Sequence, residues 1–400
     1  MSTIYESARI SKRAIWSFTV FCLMSGMLAQ SGTAAAQDQA AAPKSDVIVF
    51  TNGDQLTGTI ERGAGDSIIF KSDTAGEITV PLSKVKELRS NDSFVVIRKD
   101  EKPAKVTRHP GTITYGDNAV TVQTQAGTPE TVPVKDLAFI VDQTTYNNEM
   151  LRNPNFLHGW NGSITGGATL IRSTQTGTSF TAGIALIRAI PTVPYLPPKT
   201  RTTFDLLETY GKLSQPVIPQ TTPPTPPSVA KTSIFHADAE HDIYFTPRFY
   251  ALGEVSFDHN FAQGLNMQQV YGAGLGWTAI LTPIQQLDFK ADVHYEMQSF
   301  IQPLPPSPQI PNQNLIGSTF GEAYHRDLPG KILFTESASV LPAFNNPEAY
   351  SAIATAGLAI PAYKRFSLGL NATDNYLNLP AAGYKKNSFQ FVTSIVYNLK

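Results

Sequence analysis

Two stretches of this sequence place acid, base and imidazole groups on every second residue. The segment "IFHADAEHDIYF" carries His236, Asp238, Glu240 and Asp242, and "QLDFKADVHYEM" carries Asp288, Lys290, Asp292, His294 and Glu296. Glu254 and Asp258 follow the same spacing in "RFYALGEVSFD". Carboxylates gathered in this way can raise the local cation concentration along a surface and select against anions. They can also hold one cation together, as His236, Asp238, Glu240 and Asp242 would have to do. That second use needs ligands from a neighbouring strand such as 248–258, because residues i and i+2 on one strand stand about 6.6 Å apart. A third reading is a polar filling, in which the acids pair with Arg248, Lys290, Arg326 and others.

The spacing also names the element that positions these groups. Strict alternation means β-strands whose two faces meet different media, since successive side chains point to opposite sides. Opposite the acids lie Phe235, Ala237, Ala239, Ile243 and Phe245 on one strand, and Phe249, Ala251, Gly253, Val255 and Phe257 on the next. Leu287, Phe289, Ala291, Val293 and Tyr295 continue the pattern. Rings sit towards the ends and small or aliphatic residues between them, as in a strand crossing a bilayer with aromatic girdles at both interfaces. Phe235, Phe245, Phe249, Phe257, Phe289 and Tyr295 are therefore the expected lipid-interface aromatics. The acidic face becomes the expected lumen.

Twelve such segments follow residue 159, at 159–172, 178–190, 201–213, 232–245, 248–258, 267–281, 285–300, 314–327, 330–342, 349–360, 363–376 and 386–399. An uninterrupted apolar run of about 18 residues is missing from this region, so a barrel is the only structure that could span. The connections support the same reading. Those at 213–230, 302–314, 342–349 and 376–387 are long and polar or proline-rich, whereas those near 246, 282, 327 and 360 are tight. The exception is "PTVPYLPPKT" at 191–200. Outer-membrane barrels have short periplasmic turns and longer outer loops. Gly272, Gly274 and Gly276 share one register, which predicts close approach of a loop or linker backbone, or simply a sharply curved strand.

Upstream, "GTIERGAGDSIIFKSDTAGEITVPLSKVKEL" at 58–88 resembles "GTITYGDNAVTVQTQAGTPETVPVKDLAFI" at 111–140. Each copy is too small to bury a core alone, which predicts two stacked modules in one periplasmic β domain over 47–141. Residues 142–158 read as a polar linker with a helix-compatible stretch, and 159–400 as the barrel. At the start, Arg9, Lys12 and Arg13 precede the apolar run 14–29 and the small residues Ala34 and Ala36. This predicts a signal peptide over 1–36 and a flexible leader over 37–46. The one cysteine, Cys22, falls in that run, so the exported chain is expected to hold no disulfide.

With 31 basic against 32 acidic residues, composition gives no electrostatic case for nucleic acid. Neither G-x-S-x-G, H-E-x-x-H nor a phosphate loop occurs, so no enzyme and no cofactor are expected. The segments "DVIVFTNGDQLTGTI", "EITVPLSKVKEL" and the closing "DNYLNLPAAGYKKNSFQFVTSIVYNLK" resemble the YdiY-like family of salt-induced outer-membrane proteins. The resemblance rests on Asn52-Gly53-Asp54, Val80-Pro81, Asp374-Asn375-Tyr376 and Lys385-Lys386-Asn387. It implies an outer-membrane location and no catalytic motif. Barrels of this sort usually end on an aromatic residue read by the barrel assembly machinery. Here Phe391, Ile395, Tyr397 and Leu399 keep the alternation and Lys400 follows. The expected partners are thus outer-membrane lipid, the barrel assembly machinery and a periplasmic protein on the repeat domain. The expected role is passive permeation or envelope-stress (salt) response, with proline-rich outer loops narrowing the mouth. The alternatives are a non-conducting anchor that presents the repeat domain, and an autotransporter-like barrel.

Overall fold

The computed structural model describes residues 45–72, 74–99, 109–124, 127–152, 154–172, 176–215, 228–302 and 309–399. The expected signal peptide, Cys22 and nearly all of the expected leader lie outside the described residues.

The first sheet comprises β1 (Asp46–Phe50), β2 (Gln55–Ala64), β3 (Ser67–Ser72), β4 (Gly76–Pro81), β5 (Val85–Arg98), β6 (Gly111–Gly116), β7 (Ala119–Thr124), β8 (Glu130–Pro133) and β9 (Leu137–Asp142). The two similar segments run in the same order: β2, β3, β4, then β5; and β6, β7, β8, then β9. In both, a Val-Pro step ends the third strand and a single 3-10 turn follows, at Leu82–Lys84 and Val134–Asp136. Proline has no N–H for the ladder and fixes φ, here at −64° for Pro81 and −61° for Pro133. β1 and β9 lie end to end between β2 and β5, so each module completes the other's ladder. One core joins Ile60, Phe70, Leu82 and Leu88 to Ile113, Val120, Val132 and Ile140. The Tyr115 hydroxyl donates to the Leu82 carbonyl at 3.0 Å, tying the second module to the first module's turn.

Asp46 belongs to this fold and not to the leader. Its buried carboxylate accepts from the Ile60 N–H at 2.8 Å and the Asn91 N–H at 2.9 Å.

The second sheet contains β10 (Asn161–Arg172), β11 (Thr176–Ile190), β12 (Thr200–Gln215), β13 (Ser228–Tyr244), β14 (Phe249–Asn260), β15 (Leu265–Thr282) and β16 (Gln285–Phe300). It continues with β17 (Gln313–Gly317), β18 (Phe320–Leu328), β19 (Ile332–Leu341), β20 (Ser351–Tyr363), β21 (Phe366–Leu377) and β22 (Asn387–Asn398). All neighbours are antiparallel and β10 pairs with β22, so the sheet closes on itself. β17 and β18 both pair with β16 and together make one barrel strand, giving twelve around the ring. The expected continuous segment 314–327 is thus broken at Ser318 and Thr319. The cause is Asp292: its main-chain carbonyl accepts from the Ser318 hydroxyl, and its carboxylate takes the Thr319 N–H.

The apolar register faces out. Ile184, Ile243, Leu275, Val293, Phe391 and Ile395 are all exposed on the outer wall. An apolar band of this kind around a closed barrel is stable in a bilayer, and the protein is an outer-membrane β-barrel.

Segment 142–158, expected as a polar linker, is anchored at both ends. Asp142 caps a helical stretch through the Thr145 N–H at 2.9 Å, and Tyr146 is fully buried. Tyr146 packs with Val95, Ile97, Val141 and Met150 against Leu196 of the β11–β12 connection. This accounts for the exceptional length of 191–200. Glu149 accepts from the Thr192 N–H at 2.7 Å and its hydroxyl at 2.8 Å, Lys199 Nζ donates to the Met150 carbonyl at 2.7 Å, and the Arg62 guanidinium lies 5.1 Å from the Tyr195 ring centre. Burial and then Asp142 push the Tyr195 phenol up to about 12, while burial pulls Lys199 down. Further on, Arg188 donates to the carbonyls of His158 at 2.8 Å and Pro154 at 3.0 Å.

Candidate functional site: the barrel lumen

Arg201 and Asp288 show which face is the interior. They sit on β12 and β16, with three strands between them, yet Arg201 Nη1 donates to Asp288 Oδ2 at 3.0 Å. Side chains that far apart around a wall can meet only across the space it encloses. The same guanidinium donates Nε–H to Asp242 Oδ2 at 2.6 Å, has Nη2 3.8 Å from Glu240 Oε1, and lies 5.1 Å from the Tyr250 ring centre. Asp288 also accepts from the Thr278 hydroxyl at 2.6 Å and from Gln286 at 2.7 Å.

Lys290 makes a second strut, donating to Glu240 Oε2 at 2.8 Å and Glu254 Oε2 at 2.7 Å. His236 bridges Asp258 at 2.5 Å and Asp238 at 3.0 Å. His294 contacts Asp292 at 3.1 Å, and its Nε2 stands 3.8 Å from Glu296 Oε2, while Glu296 Oε1 accepts from Gln298 at 2.6 Å. All ten expected lumen residues, Asp238, Glu240, Asp242, Glu254, Asp258, Asp288, Lys290, Asp292, His294 and Glu296, share this inward register. Asp205 joins them opposite Asp238.

The arrangement decides among the alternative readings of these residues. His236, Asp238, Glu240 and Asp242 do not converge on one point: Lys290 and Arg201 separate them, and no metal-holding cluster occurs among the described residues. Arg248 and Arg326 do not pair with the acids, because both are exposed near the tight turns, and Arg248 donates to the Ala279 carbonyl at 3.1 Å. The pairing cation is Arg201, missed because it follows a connection and shows no alternation of its own. Finally, Gly272 and Gly276 receive side chains, and Gly274 the Ala291 carbonyl of the adjacent strand β16, and none of them a loop or linker. A Cβ at Gly276 would fall 2.1 Å from the Tyr250 ring, and one at Gly272 2.4 Å from the Asp292 carboxylate.

Around the rest of the ring the inward register changes character. Thr335, Ser337, Thr355, Thr373, Asn371 and Gln390 face in, with no charge among them. The lumen therefore has one charged wall and one of hydroxyl, amide and aliphatic side chains, with Ile353 and Val392 on the same inward register.

Of the expected lipid-interface aromatics, Phe245, Phe249, Phe257, Phe289 and Tyr295 are exposed. Phe235 shares their face but is half-buried against His259, at 5.5 Å between ring centres. Beside it Ser233 donates to Glu208 at 2.6 Å and lies 2.8 Å from His259 Nε2. With its proton on Glu208, the hydroxyl accepts from the imidazole, so His259 is not placed as its base.

At the long-loop end the mouth is crossed. The β14–β15 tip and the β21–β22 loop rise from opposite sides of the ring. Gln263, 2% exposed, donates to the Asn375 carbonyl at 3.0 Å and to that of Lys386. Leu265, Phe300, Leu377 and Ala381 cluster beneath. The proline-rich stretches expected to narrow this mouth, 216–227 and 303–308, lie outside the described residues.

The fold has solved relatives of low similarity. The translocator domain of the autotransporter NalP from Neisseria meningitidis is 12% identical, with a TM-score of 0.31 over 60% of this chain and 87% of that one. An outer membrane channel from Pseudomonas putida F1 is 10% identical, with a TM-score of 0.31 over 60% and 94%. The channel DcaP of Acinetobacter baumannii is 12% identical, with a TM-score of 0.25 over 89% and 94%. At these scores the likeness carries no functional weight. Among curated proteins none matches the chain. A family model does, over the half of the chain that builds the charged wall, the mouth-crossing loops and the closing strands. By that match at residues 199–399 the chain belongs to the family described as "Protein of unknown function, DUF481".

Proposed function

We propose that the barrel is a passive, cation-preferring conduit of the outer membrane, with the first sheet on its periplasmic side. The observation that carries this reading is the charge surplus of the inward wall. The carboxylates named above outnumber Arg201 and Lys290, which neutralise Asp242, Asp288, Glu240 and Glu254 towards the tight-turn end. Among the described residues, Asp205, Asp238, Asp258 and Glu296 are left with only His236 and His294 as basic neighbours. Such a wall concentrates cations and repels anions. The role is non-catalytic, and the loop contact across the long-loop mouth acts as its gate. Because exposed charges are screened over about 8 Å at physiological ionic strength, external salt would alter passage directly, which links the reading to salt response.

The mouth contact favours a second reading, a closed anchor that presents the first sheet to a periplasmic partner. Single-channel recording of the refolded protein across a salt gradient separates the two. The conduit reading expects stepwise conductance with cation preference, reduced by Asp288→Asn, Asp292→Asn and Glu296→Gln. Silence from a correctly folded barrel, persisting after the mouth contact is broken, would establish the anchor.

A further inference from the structure

Above the outer aromatic level β12 and β13 continue, with β11 paired to β12 as far as Thr176 opposite Ser214. β12 and β13 are 16 and 17 residues long, whereas a tilted strand needs about 9–11 to cross. Counting from the tight turns, Tyr210 and Phe235 stand about where the apolar band ends. Ser233, Glu208 and His259 form a hydrogen-bonded polar trio on the same outward face, as expected at a bilayer boundary. Two residues beyond, Lys212 and Lys231 sit directly opposite each other in the ladder, both exposed and both outward.

Like charges in directly opposed positions destabilise a sheet unless something else compensates them. Among the described residues the chain supplies no compensation. Neither lysine makes an ion pair among the described residues, and the connection between their strands, 216–227, contains no Asp or Glu. Nor do the nearby connections 261–264 and 301–312, while 378–386 adds Lys385 and Lys386. The counter-charge must come from outside the molecule, at the height where headgroups begin.

We infer that Lys212 and Lys231, above the Tyr210 ring and the Ser233–His259 pair, dock the phosphate-bearing headgroup of an outer-leaflet glycolipid. The lysines meet the phosphate, and the hydroxyl and imidazole below lie level with the sugar. The inference rests on the reading that the long-loop end faces outward, and does not depend on conduction.

The test uses the full chain in detergent micelles doped with a diphosphorylated glycolipid, with retained lipid counted by native mass spectrometry. Retention should fall roughly thirtyfold in Lys212→Ala/Lys231→Ala, the size expected for two lysines facing anionic headgroups, and return in Lys212→Arg/Lys231→Arg. Equal retention by the alanine variant, or equal binding of the dephosphorylated glycolipid, would overturn the proposal. So would displacement by millimolar inorganic phosphate, which would mark a free-anion site. A separate probe checks orientation: Lys385→Cys in a Cys22→Ser background, treated with an impermeant maleimide on intact cells. Labelling keeps the outward reading, and its absence would overturn both placement and proposal whatever the micelles report.

Discussion

At the scale of single residues, Arg201 is the group on which the lumen depends. Its guanidinium holds Asp242 and Asp288 and stacks on Tyr250, with 13% of the side chain exposed. Replacing it by glutamine leaves buried carboxylates facing one another. Arg201→Gln is expected to cost about 3–5 kcal/mol, read as a lower temperature for the heat-modifiable gel shift. Adding Asp242→Asn should recover part of the loss, and if it recovers none, charge pairing is not the cause. Tyr195 offers a test outside the membrane. Its phenol is raised from 10.0 to about 12, so the folded state favours the neutral form. The contribution is complete below pH 10 and is lost as pH rises through the folded value. Docking of the β11–β12 connection should loosen over that window, seen as faster proteolysis after residue 142, and Tyr195→Phe should abolish the pH dependence.

Two elements carry separable consequences. The β14–β15 tip reaches across the mouth with Gly264 at φ +71°, where a Cβ would come 2.5 Å from Ala381 Cβ and 2.8 Å from the Tyr384 ring. Gly264→Leu cannot keep that contact, since both backbone conformation and space oppose it. The open fraction in single-channel records should rise severalfold while ion preference stays as it was; an unchanged open fraction would remove the tip as a gate. The β11–β12 connection is the other element. Leu196 is 5% exposed against Tyr146 and Met150. Leu196→Ala should lose about 2–5 kcal/mol of local packing, detectable as amide exchange in 143–151 that speeds up while exchange in β12–β16 does not.

Across the barrel most charges are sorted by medium: the acids of β13, β14 and β16 lie inside and lysines sit at the long-loop rim, while Glu322 and Glu336 keep the outward register opposite Phe289 and Tyr324. If the lumen acids set ion preference, that preference should weaken steadily as salt rises towards 1 M, where the screening length is about 3 Å. Preference that is flat with salt would point to size selection instead.

Alternation alone assigned the faces, because a period of two leaves a strand no freedom over which side chains share a side. That is why the inward acids, the outward rings at Phe249 and Phe289, the strand count and the placing of long loops were all legible in the chain. Alternation says nothing about distance around a ring. Only closure of β10 on β22 brings Arg201 to Asp288 and the β14–β15 tip to the β21–β22 loop, contacts between residues 87 and 123 positions apart. The same holds for the glycines of β15, whose period was visible but whose occupants, Tyr250 and Asp292, depend on neighbouring strands, and for the long 191–200 connection, whose partner Tyr146 lies in a different element. The sequence determined which groups face the lumen; tertiary structure decided which of them meet, because pairing there runs through space that no local pattern encodes.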